Sequence, residues 1–366
     1  ACDGTRAFAP AFDGAIHALD SRSGDPVWTS KLSRRGFSAA PLLMDGRVLI
    51  GSRDGLFYAV SATTGDLLWK TDTGDPIVQT AAGADGRVVV VNDGMRAFCL
   101  NSESGDVVWT AGPLPGGSVR DYWPVIHEGR VIIRTHPAGP KALGGGVPAL
   151  QQHFFWPVTY GEVKNQKVVF KAKSVDDMVK EQDIIADFYR EHPQLRTCVA
   201  LNMSDGSEAY TTSLIATCVN GGVTPPPALA GDGNLYTTFR TSAATRGLVD
   251  ITRCAIGRFD IDTGKIAKPI LCGGMEGVNE VVGVRSPFEI TSDETVTLSS
   301  GGRLLFGMRC DESPGAVHVE TRATARMPNV PLPRASDMQQ TGNVIAISGK
   351  YILYTKFSHV ICMRGQ

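Results

Sequence analysis

Arg120, Asp121 and Tyr122 place a guanidinium, a carboxylate and a phenol on consecutive residues, a set able to hold an oxyanion and to donate to a hydroxyl or carbonyl ligand. Arg285, Gln339 and Gln340 offer further polar groups of the same kind. A second set, His153-Phe154-Phe155-Trp156 with Tyr160 close behind, follows Gly144-Gly145-Gly146. Its chemistry is aromatic area, suited either to anchoring a protein partner or to capping the protein's own surface. The glycines lack the Lys-Ser/Thr of a phosphate loop. Asp260-Ile261-Asp262-Thr263-Gly264 opens like a calcium loop but has no downstream bidentate glutamate. The eight cysteines are scattered, with no C-x-x-C and no adjacent pair, which excludes zinc-ribbon, thioredoxin-like and c-type haem sites. Cys254 and Cys272 flank the Asp262-Thr263-Gly264 turn almost symmetrically and are the candidates for a disulfide, the other reading being that all eight are buried thiols. No pair of the seven histidines has metal-ligand spacing. The residues thus indicate no metal site and no catalytic set.

The elements that must position these groups are visible as a repeat. Asp13-Gly-Ala-Ile-His-Ala-Leu-Asp-Ser-Arg-Ser-Gly-Asp-Pro-Val-Trp28 recurs as Asp54-Gly-Leu-Phe-Tyr-Ala-Val-Ser-Ala-Thr-Thr-Gly-Asp-Leu-Leu-Trp69, and a third copy runs from Asp93-Gly94 to Trp109. A period of about 40 residues is the length of a propeller blade of four short strands. Each copy holds a D-G turn, an alternating strand and a Gly turn at Gly24, Gly65 or Gly105 before the next strand. The reading is an all-β chain: a β-propeller of four-stranded blades, about seven or eight in number. Inner strands are expected at 37–43, 77–81, 119–126, 223–229, 284–290 and 343–347, which would turn Arg120, Asp121, Tyr122 and Arg285 toward a central channel. Trp28, Trp69 and Trp109 are structural docking residues in this reading, each covering the seam between two blades, and each indole N–H requires a nearby acceptor.

The words Ala-Leu-Asp-x-x-x-Gly-x-x-x-Trp resemble the tryptophan-docking repeat of the PQQ-type β-propellers, which include quinoprotein dehydrogenases and the BamB-type outer-membrane assembly lipoproteins. Degenerate copies extend the resemblance: Cys198 to Gly206 with Tyr210 in the Trp place, and Ile256 to Gly264 with Lys268 there. The resemblance implies two functions. One is a non-catalytic protein-binding or assembly scaffold outside the cytoplasm, periplasmic, cell-surface or secreted, without a cofactor and with partners on one propeller face. The other is a PQQ-dependent alcohol or sugar dehydrogenase holding a calcium-bound quinone, or another propeller enzyme. The vicinal Cys-Cys pair usual in quinoprotein alcohol dehydrogenases is missing from this sequence, which favours the scaffold.

Composition sets the remaining bounds. Lys plus Arg (36) balances Asp plus Glu (37) for a net charge of -1, so no global field draws the chain to nucleic acid. No apolar run approaches the ~18 residues of a membrane helix. The 41 glycines fit a many-turned protein. The repeat is interrupted over 135–197 by an insertion with a helix expected near 174–191, where Ser174 caps, Met178, Ile185, Phe188 and Tyr189 share a face, and Pro193 stops the helix. The whole of 1–366 is read as one propeller domain. It opens in mid-blade and its last blade lacks an outer strand, so the native chain is expected to extend upstream of Ala1.

Overall fold

The computed structural model describes residues 1–120, 122–136, 161–164, 167–170, 182–214, 226–246, 249–272, 289–291, 298–308, 314–326, 345–348, 351–356 and 359–364. The chain divides into two compact units: Ala1–His136 with Cys198–Tyr210, and Pro137–Thr197 with Thr211–Gln366.

In the first unit, sheet one is β1 (Arg6–Pro10), β2 (Ala15–Asp20) and β3 (Pro26–Lys31). Sheet two is β4 (Leu42–Met44), β5 (Arg47–Gly51), β6 (Leu56–Ser61) and β7 (Leu67–Asp72). Sheet three is β8 (Ala82–Ala84), β9 (Arg87–Asn92), β10 (Arg96–Asn101) and β11 (Val107–Ala111). Sheet four begins with β12 (Val125–His127) and β13 (Arg130–Arg134). The insertion then supplies a hairpin of the second unit, β14 (Gly161–Lys164) with β15 (Lys167–Phe170). It also supplies helix α1 (Gln182–Glu191), and β16 (Cys198–Asn202) and β17 (Glu208–Tyr210) then complete sheet four. Arg134 pairs with Cys198, so the insertion occupies the turn between the second and third strands of a blade.

The second unit continues with sheet five: β18 (Ala228–Leu229), β19 (Leu235–Arg246), β20 (Val249–Phe259) and β21 (Ile266–Cys272), with β22 (Glu289–Thr291) on β20. Sheet six is β23 (Leu298–Gly301), β24 (Leu304–Met308), β25 (Pro314–His318) and β26 (Thr324–Arg326). Sheet seven is β27 (Ile345–Ser348), β28 (Tyr351–Lys356) and β29 (His359–Arg364). Seven blade-like antiparallel meanders are therefore present among the described residues. Their middle strands are the core: β5, β6, β9 and β10 are buried on both faces, because apolar residues on each face meet neighbouring sheets.

The repeat has a simple physical basis in the turn before each outer strand. The N–H of its first residue meets the carbonyl five residues on, and the N–H of its fifth residue returns to the first carbonyl. This pattern holds at Asp20/Asp25/Gly24, Ser61/Asp66/Gly65, Asn101/Asp106/Gly105, Asn202/Ser207/Gly206 and Asp260/Lys265/Gly264. All five glycines have φ between +70° and +78°, a region that glycine enters without steric cost. A sixth copy, invisible in the sequence, sits at His318/Ala323/Arg322, with Arg322 at φ +60°. The first side chain also caps the turn. Asp20 Oδ1, Ser61 Oγ, Asn101 Oδ1, Asp260 Oδ1 and His318 Nδ1 each accept from two following backbone N–H groups. An L side chain in the left-handed region costs roughly 1–2 kcal/mol, partly offset by the greater freedom of glycine in the unfolded chain. Arg322→Gly is therefore expected to raise stability by about 0.5–1 kcal/mol, read as an increase in the urea midpoint. A decrease would show that the arginine side chain itself holds the turn.

The tryptophans lie at blade seams. Trp28, Trp69 and Trp109 donate their indole N–H to Ala62, Ser102 and Met203 carbonyls at 3.2, 3.3 and 2.9 Å. Each ring lies against the turn glycine of the next sheet, where a Cβ on Gly65, Gly105 or Gly206 would come within 2.5–2.6 Å of a ring carbon. Arg6 and Arg87 donate to the same Ala62 and Met203 carbonyls. Two buried tyrosines are satisfied by the aspartate four residues before them. Tyr58 Oη donates to Asp54 (3.0 Å), and Tyr236 Oη donates to Asp232 (2.8 Å) at the same spacing in sheet five. Burial pushes the Asp54 carboxyl up, but hydrogen bonds from Ser52, the Leu56 N–H, Ser33 and Tyr58 outweigh it and hold its pKa below the usual range.

Two expectations change. The inner strands are short: 42–44 rather than 37–43, 82–84 rather than 77–81, and 125–127 rather than 119–126. Phe37 and Ile77 send their N–H groups to Ala11 and Ser52 carbonyls in turns, not to a ladder, so these stretches are ordered connections. The third repeat is also offset by one residue. Arg96 pairs with Asn92, and Met95 at φ +58° holds the left-handed position of Gly14 and Gly55. Asp93 therefore corresponds to Phe12 and Arg53, and not to Asp54.

Helix α1 covers Gln182–Glu191, and 174–181 lie outside the described residues. Gln182 fastens it to sheet five. Its Oε1 accepts from Ile266 N and Ser213 Oγ, while its Nε2 donates to Ile266 O. Tyr189, of the expected apolar face, is buried. Met178 and the side chains of Ile185 and Phe188 lie outside the described residues.

Candidate functional site

In the first unit, three connections between consecutive sheets and two turns within sheets enclose a cavity of about 700 Å³. Arg35 to Ala40 come from the link between β3 and β4, Pro76 to Thr80 from that between β7 and β8, and Arg120, Tyr122 and Trp123 from that between β11 and β12. Arg53 and Asp93 come from the turns after β5 and β9. Equivalent places in successive blades thus carry different chemistry, and it converges on one space.

The cavity floor is held by backbone acceptors. Gln79 is buried, its amide donates to Val119 O, and its Oε1 accepts from Val78 N at 3.3 Å. Tyr122 is buried and stacks on the His136 ring, with centroids 6.0 Å apart. His136 Nε2 donates to Arg120 O at 3.0 Å. Arg120 grips Asp93 with two bonds, Nε to Oδ1 at 3.1 Å and Nη2 to Oδ2 at 2.5 Å. The arginine side chain is 62% exposed and the aspartate 14%, so the pair contributes little stability but fixes the orientation of the guanidinium. Arg53 lies over the Phe12 ring, 5.7 Å from its centroid. Phe12 and Trp123 are exposed.

Of the residues singled out in the sequence, Arg120 and Tyr122 line this cavity. Asp121, Arg285, Gln339, Gln340, His153, Phe154, Phe155 and Trp156 lie outside the described residues. Cys254 and Cys272 fall on the paired strands β20 and β21, where Cys272 stands opposite Ile256, two places along from Cys254; their side chains lie outside the described residues. Arg35, Arg53, Gln79, Asp93 and Trp123 were not anticipated. Their signal was positional: Phe12, Arg53 and Asp93 occupy one place in three repeats, and Ser38, Val78 and Arg120 occupy another.

A calcium-bound quinone does not fit this donor set. Asp93 is the one carboxylate among the described cavity residues, and Arg120 already occupies both its oxygens. Among the described residues no three His, Cys, Asp or Glu side chains converge.

Comparison with known proteins supports the same architecture. The outer membrane protein assembly factor BamB of Yersinia pestis is 23% identical over 188 residues, 48% of this chain and 47% of that protein. A tetrathionate hydrolase of Acidithiobacillus ferrooxidans is 28% identical over 37% of this chain and 28% of its own length. The dehydrogenase subunit of an alcohol dehydrogenase (quinone) of Gluconacetobacter polyoxogenes is 30% identical over 28% of this chain and 16% of its own length. The matches thus span about half the length of these relatives or less. The crystal structure of BamB from Moraxella catarrhalis superposes with a TM-score of 0.50 at 16% identity, covering 99% of this chain and 84% of that one. This likeness establishes the β-propeller fold. Residues 12–152, less than half of the chain, match the family described as outer membrane protein assembly factor BamB, and over that stretch the docked tryptophans Trp28, Trp69 and Trp109 make the repeats similar to those of PQQ-like, BamB-like β-propellers.

Proposed function

We propose that this chain is a non-catalytic binding scaffold working outside the cytoplasm, and that its partner is a protein docked on the face carrying the Arg35/Arg53/Arg120 cavity. The observation that carries the reading is the combination of exposed aromatic rings, Trp123 on the cavity lining and Phe12 beside Arg53, with the guanidinium groups of the same lining. Aromatic and arginine side chains are the residue types that dominate protein recognition. The seams beneath it, docked by tryptophans, supply a rigid frame, and a preformed surface loses little entropy on binding. Among the described residues no helix is long and apolar enough to cross a membrane. The names of the BamB relatives accord with an assembly role.

The quinoprotein reading draws on the alcohol dehydrogenase relatives, but those matches cover 16% of the relatives' length. Native isolation of the tagged protein from its host tests both readings. The expected result is a stoichiometric complex with one protein, weakened when Phe12 and Trp123 are both replaced by alanine, and no dye reduction with alcohols after addition of PQQ and calcium. A stoichiometric quinone absorbance with dye-linked oxidation would overturn the scaffold reading.

A further inference from the structure

We infer that the cavity of the first unit is a carboxylate-recognition site that takes an extended acidic peptide segment bearing at least two Asp or Glu side chains. The inference rests on the scaffold reading in treating that segment as part of a protein partner. Charge is the first argument. The described lining carries Arg35, Arg53 and Arg120 against the single carboxylate of Asp93. Arg120 and Asp93 satisfy each other, whereas Arg35 and Arg53 have no ion pair among the described residues. Among the described residues, two guanidinium groups of this lining therefore have no carboxylate partner.

Geometry is the second argument. Arg53 stands over the Phe12 ring, with Cζ 5.7 Å from its centroid, and its guanidinium has no hydrogen-bond partner among the described residues, so its N–H fork can meet a carboxylate edge-on, the arrangement arginine favours. The Asp93 grip on Arg120 shows the same fork already holding a carboxylate inside this cavity. Size and rim are the third argument. A space of about 700 Å³ is far larger than one carboxylate needs and falls within the range of sites that enclose a sizeable ligand. The Ser38 and Thr80 hydroxyls line it beside the guanidinium groups. Trp123 on the lining and Phe12 beside Arg53 suit the apolar residues of a peptide better than a small free anion.

The test uses the whole chain and a short fluorescein-labelled peptide of alternating glutamate and serine, amidated at its C-terminus, with fluorescence anisotropy as the readout. The wild-type protein is expected to bind it with an affinity that falls as salt is added, and to ignore the same peptide with glutamine for glutamate. The Arg35→Ala/Arg53→Ala double substitution, on two exposed side chains, is expected to weaken binding about tenfold or more with an unchanged thermal midpoint. Asp93→Asn, which removes the one carboxylate of the described lining, is expected to tighten binding. No binding to the wild type, equal binding of the glutamine peptide, or an unaffected double variant would overturn the proposal. So would full competition by millimolar inorganic phosphate or succinate, which would identify a site for small anions. If peptide binding fails while the native complex still forms, this site falls and the scaffold stands; binding without any native complex separates them the other way.

Discussion

Trp109→Ala is expected to lower the unfolding free energy by about 3–5 kcal/mol, the range for deleting a large buried aromatic side chain. The ring is 7% exposed and packs in the cluster that includes Leu114, Val131, Leu201 and Met203. It also closes the seam between sheets three and four, where its face covers Gly206 and its N–H reaches Met203 O. That carbonyl keeps a second donor in Arg87, at 3.0 Å, so the loss comes from the cavity rather than from an orphaned acceptor. Trp109→Phe, which fills part of the cavity, is expected to cost much less. Trp28→Ala also costs less, because the Trp28 ring is only half-buried. Urea unfolding at neutral pH measures all three, and a Trp109→Ala loss no larger than that of Trp28→Ala would show that burial does not set the energy of these seams.

Gly105→Ala is expected to destabilise by more than Gly86→Ala, although both glycines have nearly the same backbone, φ +78° and +71°. The left-handed conformation alone costs a non-glycine residue about 1–3 kcal/mol, and both variants incur that. At Gly86 nothing lies within 4 Å of the new Cβ. At Gly105 it would fall 2.5 Å from Trp69 Cε3 and 3.0 Å from Thr71 Oγ1, whose hydroxyl donates to Gly105 O at 2.6 Å. The ring or the turn must move, which adds about 1–3 kcal/mol of overpacking. The difference between the two denaturation midpoints isolates that docking contribution from backbone strain. Equal midpoints would mean that the ring yields freely and that the seam is not closely packed.

The docking system was legible along the chain because its parts repeat. Trp and the turn glycine recur at fixed spacing, and the ring expected to cover a blade seam lies in the structure against the turn glycine of the next sheet, at Gly65, Gly105 and Gly206. The strands β6 and β10 fall within the repeat, but the alternation expected of them gives way to burial on both faces, because each face meets a neighbouring sheet. The sixth repeat was hidden because His318 caps its turn and Arg322 takes the left-handed position. Hydrogen bonding at that turn requires an acceptor and a tolerated φ, not a particular residue type, so unlike residues build the same turn.

The cavity follows the opposite logic. Arg120 and Tyr122 could be singled out from their own chemistry, whereas Arg35, Arg53, Gln79 and Asp93 look like ordinary surface residues of separate turns and connections. Folding brings them together because each blade returns the chain to the same end, so residues roughly one repeat apart become neighbours. Sequence alone determined the blade, because backbone hydrogen bonding and burial impose a period on every copy. Only the tertiary structure decided the site, because its connections carry no ladder, and no periodic constraint ties the chemistry of one to the next.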